Sequence, residues 1–190
     1  MKILKLLLFI VMISITILSC RKGEGDPFLS LRTRKARITG EWKLKSGSIT
    51  TKENDTTIYT LYNGVSAETA SGIYPYTEKF WFKKDGSFRI IYTNSSVSLT
   101  FNGLWRFGKR IKEIELKNKE YIILMTTSKI IKYFTGEDTE TYTGTSCPID
   151  YLTIKELRNN ELTIIHNGTD TWPLHSSIIS GSLTYIQDKD

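Results

Sequence analysis

From Gly40 onward, apolar residues recur by alternation or in short runs, interrupted by turn residues about every ten positions, and no long helical period appears. This pattern predicts antiparallel strands arranged as a sandwich or barrel. The strands fall at residues 42–51, 56–62, 78–84, 87–93, 97–107, 111–117, 120–126, 152–157, 161–166 and 182–187, and residues 130–134 extend or follow the seventh. Asp85-Gly86 suits the backbone angles of a tight hairpin between two of them. Arg158-Asn159-Asn160 marks another turn, and Gly108 and Asn118 stand near others. Residues 63–75 and 135–149 read as long loops.

Alternation also sorts the side chains by face. Phe80 and Phe82 share one face of their strand, Phe88, Ile90 and Tyr92 share a face of the next, and Val97, Leu99, Phe101 and Trp105 share a face of the third. Together they predict one aromatic layer. Trp81 points the other way, between Lys79 and Lys83, either as an exposed platform or packed under the lysine stems. Ahead of the strands, Phe28 and Leu31 fall on one face with Lys35 or Ile38 at helical spacing, and Arg32, Arg34, Lys35 and Arg37 lie mostly elsewhere. A short basic helix is expected there. It either plugs one end of the domain with a solvated basic face or touches anionic lipid headgroups.

The opening of the chain follows a different pattern. Lys2 and Lys5 precede thirteen residues, 6–18, with no charge and only Ser14 and Thr16 as polar side chains. Such a run matches a signal-peptide core and is too short to span a bilayer comfortably. It ends in Ile17-Leu18-Ser19-Cys20, which resembles the lipobox of bacterial lipoproteins. The resemblance implies cleavage between Ser19 and Cys20, a diacylglycerol thioether on Cys20 and acylation, for example by palmitate, of the new amino terminus. Two or three acyl chains hold a protein stably in a membrane, at about 0.8 kcal/mol per buried methylene. The other reading of the same residues is an ordinary cleaved signal peptide that happens to end near a cysteine. The chain then divides into a leader at 1–19, a polar, glycine-containing lipidated tether at 20–28 and one domain at 29–190. The lipobox resemblance places the protein in the cell envelope of a Gram-negative bacterium, at the outer membrane, with the periplasmic or surface side left open.

Composition agrees with a folded domain: of 190 residues, 39 % are hydrophobic and 12 % aromatic, and only four are proline. The formal net charge is +6, but residues 21–45 hold eight basic and three acidic side chains whereas residues 46–190 hold 16 basic and 17 acidic. The basic excess marks the end of the chain tied to the membrane. Nucleic acid is therefore not an expected partner.

Thr39-Gly40-Glu41-Trp42 follows the expected helix and opens the first strand, and there the chain is similar to the lipocalins and bacterial lipocalin-like lipoproteins. The resemblance covers residues 29–186. It implies an all-β fold, an antiparallel up-and-down β-barrel of about 8 to 10 strands with a short N-terminal helix. Gly40 would permit the tight turn into the strand and Trp42 would close the barrel floor. The late-strand arginine often packed over that tryptophan has no match, because Arg158 falls in a turn. A closed barrel of this size is either filled by side chains or holds one small ligand. The expected function is binding of a small, largely apolar molecule, with Phe80, Phe82, Phe88, Tyr92 and Phe101 as wall residues or as packed core. The alternative is a structural lipoprotein that docks an envelope protein complex or a polysaccharide through its loops.

No catalytic pattern stands out. The chain has no phosphate-binding glycine loop, paired metal-binding cysteines, metalloprotease helix or nucleophile elbow, and no cofactor is expected. His166 and His175 could meet across a turn, but Asp170 is the only acidic residue between them. Glu113 and Glu115 alternate on one strand amid Lys112, Lys117 and Lys119, as on a solvated charged face. Cys147, with Cys20 lipidated, has no partner in the chain and no basic cluster to activate it. Asp55-Thr56-Thr57 resembles a short bacterial O-glycosylation sequon in an exposed turn.

Overall fold

The alternation seen in the sequence becomes a ring of strands. A computed structural model of the protein describes residues 32–53, 55–109, 120–133, 136–172 and 175–188. The lipobox, Cys20, the strand expected at 111–117 and the Glu113/Glu115 pair lie outside these residues.

Strand β1 (Gly40–Glu53) is the longest partner in the sheet, together with β11 (His175–Asp188), and the two pair along almost their whole length. On its other edge β1 changes partner. Gly40 to Lys43 pair with the end of β4 (Gly72–Phe82), and Gly47 to Glu53 pair with β2 (Thr56–Tyr62). A short β3 (Ser66–Thr69) links β2 to the beginning of β4. The wall continues through β5 (Ser87–Asn94), β6 (Val97–Phe107) and β7 (Tyr121–Tyr133). From β7 it passes to β9 (Ile149–Leu157), β10 (Glu161–Trp172) and back to β11. The result is a closed antiparallel barrel of lipocalin-like form. Counted through the direct β1–β4 pairing the ring has eight strands, and counted through β2 and β3 it has ten. The eight-strand circuit is the narrow end and the inserted strands widen the other. One further strand, β8 (Gly136–Thr141), pairs with the far half of β7, beyond the part that pairs with β9.

Both expected long loops are therefore partly strand. Residues 63–75 contain β3 and the start of β4, and residues 135–149 contain β8 and a single 3-10 turn, Gly144–Ser146. Their polar, glycine-containing sequences hide pairing that depends on neighbours already in the sheet, a context no local pattern carries. The Asp85-Gly86 hairpin forms as expected, with Lys83 N–H donating to Ser87 O at 2.9 Å and Asp85 Oδ1 accepting from Ser87 N at 2.8 Å. Residue 158 lies in the turn between β9 and β10, where its N–H donates to Glu161 O.

Helix α1 (Arg34–Ile38) closes the narrow end. Thr33 caps it by accepting from Ala36 N–H at 3.1 Å, and Ile38 is fully buried beneath the barrel. The fully buried Trp42 donates from Nε1 to Ile38 O at 2.7 Å, which ties the floor tryptophan to the plug. Gly40 between them takes a positive φ of 144°, a conformation that favours glycine at the turn from helix to strand. The expected solvated basic face is only partly right. Arg32 and Lys35 are exposed, but Arg34 and Arg37 are buried, and Arg37 donates to the Leu157 carbonyl across the barrel end. A buried guanidinium here satisfies the carbonyl where β9 ends.

Directly above the plug, the narrow half of the interior is filled by buried side chains. Phe80, Phe82, Phe88, Ile90, Trp105, Ile122, Leu157, Leu162 and Ile164 are all buried in one cluster with Trp42. Phe82 meets Trp105 edge-on at 5.4 Å between centroids, and Phe80 at 5.8 Å. Opposite Phe88, Gly103 leaves no room for a side chain: a Cβ there would collide with the Met125 carbonyl and stand 2.7 Å from the Phe88 ring. This spot adjoins a bulge between β6 and β7 that bends the wall around the aromatic base. Gly103→Ala should lower the stability of the domain by about 1–3 kcal/mol in denaturant unfolding, the usual range for overpacking. Gly136→Ala, in a strand where a Cβ meets nothing within 4 Å, is the control and should change it far less.

Candidate functional site

Strand β4 places Tyr74, Tyr76, Glu78, Phe80 and Phe82 on its inner face, by simple alternation. Phe80 and Phe82 belong to the packed base. Glu78 stands one step higher, at the level where β1 leaves β4 and the inserted strands begin. It is 3 % exposed and is surrounded by phenols from several strands. Tyr185 of β11 donates to Glu78 Oε1 at 2.7 Å, and Tyr76 donates to Oε2 at 3.0 Å. Tyr92 of β5 lies directly across the pairing from Glu78, and Tyr62 of β2 packs on Tyr76 with centroids 5.0 Å apart. Tyr185 in turn stacks on Phe80 at 4.7 Å, so the polar cluster rests on the aromatic base.

Burial dominates the electrostatics. It pushes the Glu78 carboxyl up from its usual 4.5 to about 7, against the two phenol hydrogen bonds, which favour the ionised form. The same desolvation, together with the Glu78 charge, raises the hydroxyls of Tyr62, Tyr76, Tyr92 and Tyr185. These four tyrosines therefore remain protonated donors at any ordinary pH.

Higher still, inward-facing residues keep part of their surface open. Tyr62, Tyr76, Tyr92, Phe101 and Ile179 pack against the core on one side yet are only half-buried. Pairing fixes their direction: Phe101 faces the buried Ile90, and Tyr62 faces Gly47 and the buried Ala67. They therefore stand on the inner wall in the half of the barrel that the inserted strands widen. Tyr74 at 44 % and Ile58 at 43 % exposure share this inward register at the rim.

The wall residues expected from sequence thus fall into two groups. Phe80, Phe82 and Phe88 lie in the buried base, while Tyr92 and Phe101 stand above it, edge-on to each other at 5.8 Å. Trp81 is on the outer face, held by a hydrogen bond to Glu41 Oε2 at 2.7 Å, with Lys79 Nζ 5.7 Å from its ring centroid. It is packed under a lysine stem. Beside it an outer groove of about 340 Å³ runs past Lys83, Arg89 and Asn102 to Thr127 at the bulge. The groove is shallow in chemistry, since Arg89 is already bonded to Asn102 Oδ1 at 3.0 Å and Trp81 to Glu41.

The histidines do not meet. His166 pairs with Gly181 and His175 with Trp172, six rungs further along the hairpin, which is about 20 Å at the usual strand rise. His166 shares the inner face of β10 with Leu162 and Ile164, and burial lowers its pKa. Cys147 is a free, half-buried thiol just after the 3-10 turn.

Sequence reasoning overlooked Glu78, Tyr76 and Tyr185. The signal was available: a carboxylate at an inward position of a strand whose other inward residues are aromatic is an expensive placement that calls for partners. No protein-family model matches the chain, and no curated protein matches it either.

The buried carboxyl makes a pH-dependent contribution to stability. A folded pKa above the unfolded one means that the native state holds the proton more tightly, so the benefit is complete below about pH 4.5 and disappears as the pH rises through 7. The difference corresponds to about 3 kcal/mol. Unfolding free energies measured from pH 4.5 to 8 should decline less with pH in Glu78→Gln than in the wild type by about this amount. Tyr185→Phe, which removes a donor to the carboxylate, should make the decline steeper.

Proposed function

We propose that the protein is a lipid-anchored envelope protein whose barrel binds a small, largely apolar ligand through its wide end. The observation that supports this reading is the set of inward-facing but half-buried aromatics, Tyr62, Tyr76, Tyr92 and Phe101, above a sealed base. A barrel built only for rigidity gains by filling its interior to native density. Here the narrow end is closed by α1, Trp42 and the phenylalanine base, and the open surface is concentrated at the other end. Phe80 and Phe82 serve as the floor beneath Tyr185 and Glu78, and Tyr92 and Phe101 serve as wall. Ligand sites are commonly apolar clefts of this kind with a few polar groups that set orientation.

In this reading Cys20 carries the acyl chains that hold the protein at the outer membrane, and residues 20–28 tether the barrel to it. The alternative, docking of an envelope protein or polysaccharide, draws on a different observation. Tyr59, Leu61, Val65 and Ile73 are exposed at 44–70 % on the inserted β2–β4 region.

Two measurements test the proposal. Protein purified from its own membranes should show, under native mass spectrometry, a small-molecule adduct that is lost on denaturation; a bare domain with no capacity for apolar probes would overturn ligand binding and favour docking. Its denatured mass should begin at Cys20 and include acyl chains, and Cys20→Ala should abolish acylation and release the protein from the membrane fraction. An amino terminus elsewhere, or no acyl mass, would overturn the anchor.

A further inference from the structure

The interior contains one feature that an apolar ligand alone leaves unexplained. A carboxylate is held at the base of the open half by two phenol hydroxyls, and the groups acting on it are its burial and those two donors. Each carboxylate oxygen accepts one phenol hydrogen and keeps lone-pair capacity for a further hydrogen bond. Among the described residues no cation contributes to its charge balance. Lys79, its neighbour in sequence, faces outward to Glu41 at 3.3 Å, and the inward-register Lys129 is paired with Glu140 of β8 at 3.4 Å. A buried carboxylate without a cation is costly, and the usual remedies are protonation or an opposite charge.

The surroundings suit an opposite charge that arrives with a ligand. Tyr62, Tyr76, Tyr92 and Phe101 present four aromatic rings in the same half of the barrel, and the Tyr62 and Tyr76 rings lie 5.0 Å apart next to the carboxylate. Ring faces attract cations by about 0.5–2 kcal/mol each when water is excluded. Aromatic faces plus one carboxylate form a receptor for an ammonium group, whereas a ligand carboxylate or phosphate would meet repulsion from Glu78.

We propose that the barrel selects amphiphiles bearing a protonated amine, with the ammonium seated between Glu78 and the Tyr62 and Tyr76 rings and the apolar part extending along Tyr92 and Phe101 toward the wide end. The inference rests on the ligand-binding reading above and adds the charge class of the ligand.

Binding of such a ligand depends on ionised Glu78, and the groups facing it fix the sign of the pH effect. They are Tyr76 on its own strand, Tyr62 of β2, Tyr92 of β5 and Tyr185 of β11, all protonated across the neutral range. Asp150 of β9 acts on Tyr92 from the far side, and His166 of β10 is kept neutral by burial as the pH falls toward its usual range. An alkylammonium, like lysine, stays charged below about pH 10. Its affinity should therefore fall as Glu78 takes up its proton, approaching tenfold per pH unit below about 7.

Octylamine, octanol and octanoate, which share one chain, separate the outcomes when titrated calorimetrically into the domain at pH 8 and pH 5.5. Octylamine should bind at least tenfold more tightly than the other two at pH 8 and lose at least tenfold at pH 5.5, with octanol unchanged. In Glu78→Gln the preference should collapse to within about twofold while octanol binding persists, with far-ultraviolet circular dichroism confirming the fold. Tyr62→Leu, which keeps the carboxylate, should weaken octylamine several-fold and octanol little. Equal binding of octylamine and octanol by the wild type, or a preference for octanoate, would overturn the amine inference and leave the apolar site standing. Binding of none of the three would overturn both.

Discussion

The structure turns on one strand serving two partners along a single edge. β1 pairs with β4 for its first four residues and with β2 for its last seven. The first pairing closes an eight-strand ring, a size at which side chains from all walls meet and fill the middle. The second admits β2 and β3, so the same wall must span a wider circumference a few residues higher. Packing density changes with it. The phenylalanine and tryptophan side chains that fill the lower ring cannot reach across the upper one, and inward-facing tyrosines there retain open surface.

Glu78 sits at the height of that transition, which explains how a carboxylate can be accommodated in a barrel interior. Below it, Phe80 and Tyr185 stack and exclude water; above it, Tyr76 and Tyr62 come from the widening wall. At the boundary it is dehydrated but supplied with two phenol donors, and its proton affinity settles near neutrality. The position of the strand branch thus sets the chemistry of the site.

Most of the fold was legible because alternation survives wherever one face of a strand is buried. The boundaries of β2 and β6 and the hairpin at Asp85-Gly86 follow from that pattern alone. β3 and β8 were illegible for the complementary reason: Ser66–Thr69 and Gly136–Thr141 are largely polar and form strands by pairing with β2, β4 and β7. The site was half legible. Tyr92 and Phe101 stand out as large residues in an alternating series, whereas Glu78 was passed over because a single acidic residue is common on strands. Its meaning lies in its phase, since it falls on the face shared by Phe80 and Phe82. Arg34 and Arg37 are illegible for a related reason: charges usually face solvent, but the barrel end offers backbone carbonyls, such as that of Leu157, that a buried guanidinium can satisfy.

The burial of those two arginines also bears on how the domain would be presented at a membrane. Lys43 and Lys45 are paired with Asp188 and Glu161, while Arg32 and Lys35, beside the plug, have exposed side chains. Arg32 precedes α1 and Lys35 lies within it, on the side from which a chain anchored at Cys20 would arrive. Eleven residues separate Cys20 from Arg32, a reach of at most about 40 Å. In the proposed lipid-anchored form, the barrel would be held by its plugged end, with Arg32 and Lys35 toward the headgroups and the wide end directed away from the bilayer. A ligand would enter from the aqueous side of the envelope, and an ammonium group, which crosses water readily but pays heavily to enter hydrocarbon, is suited to that route.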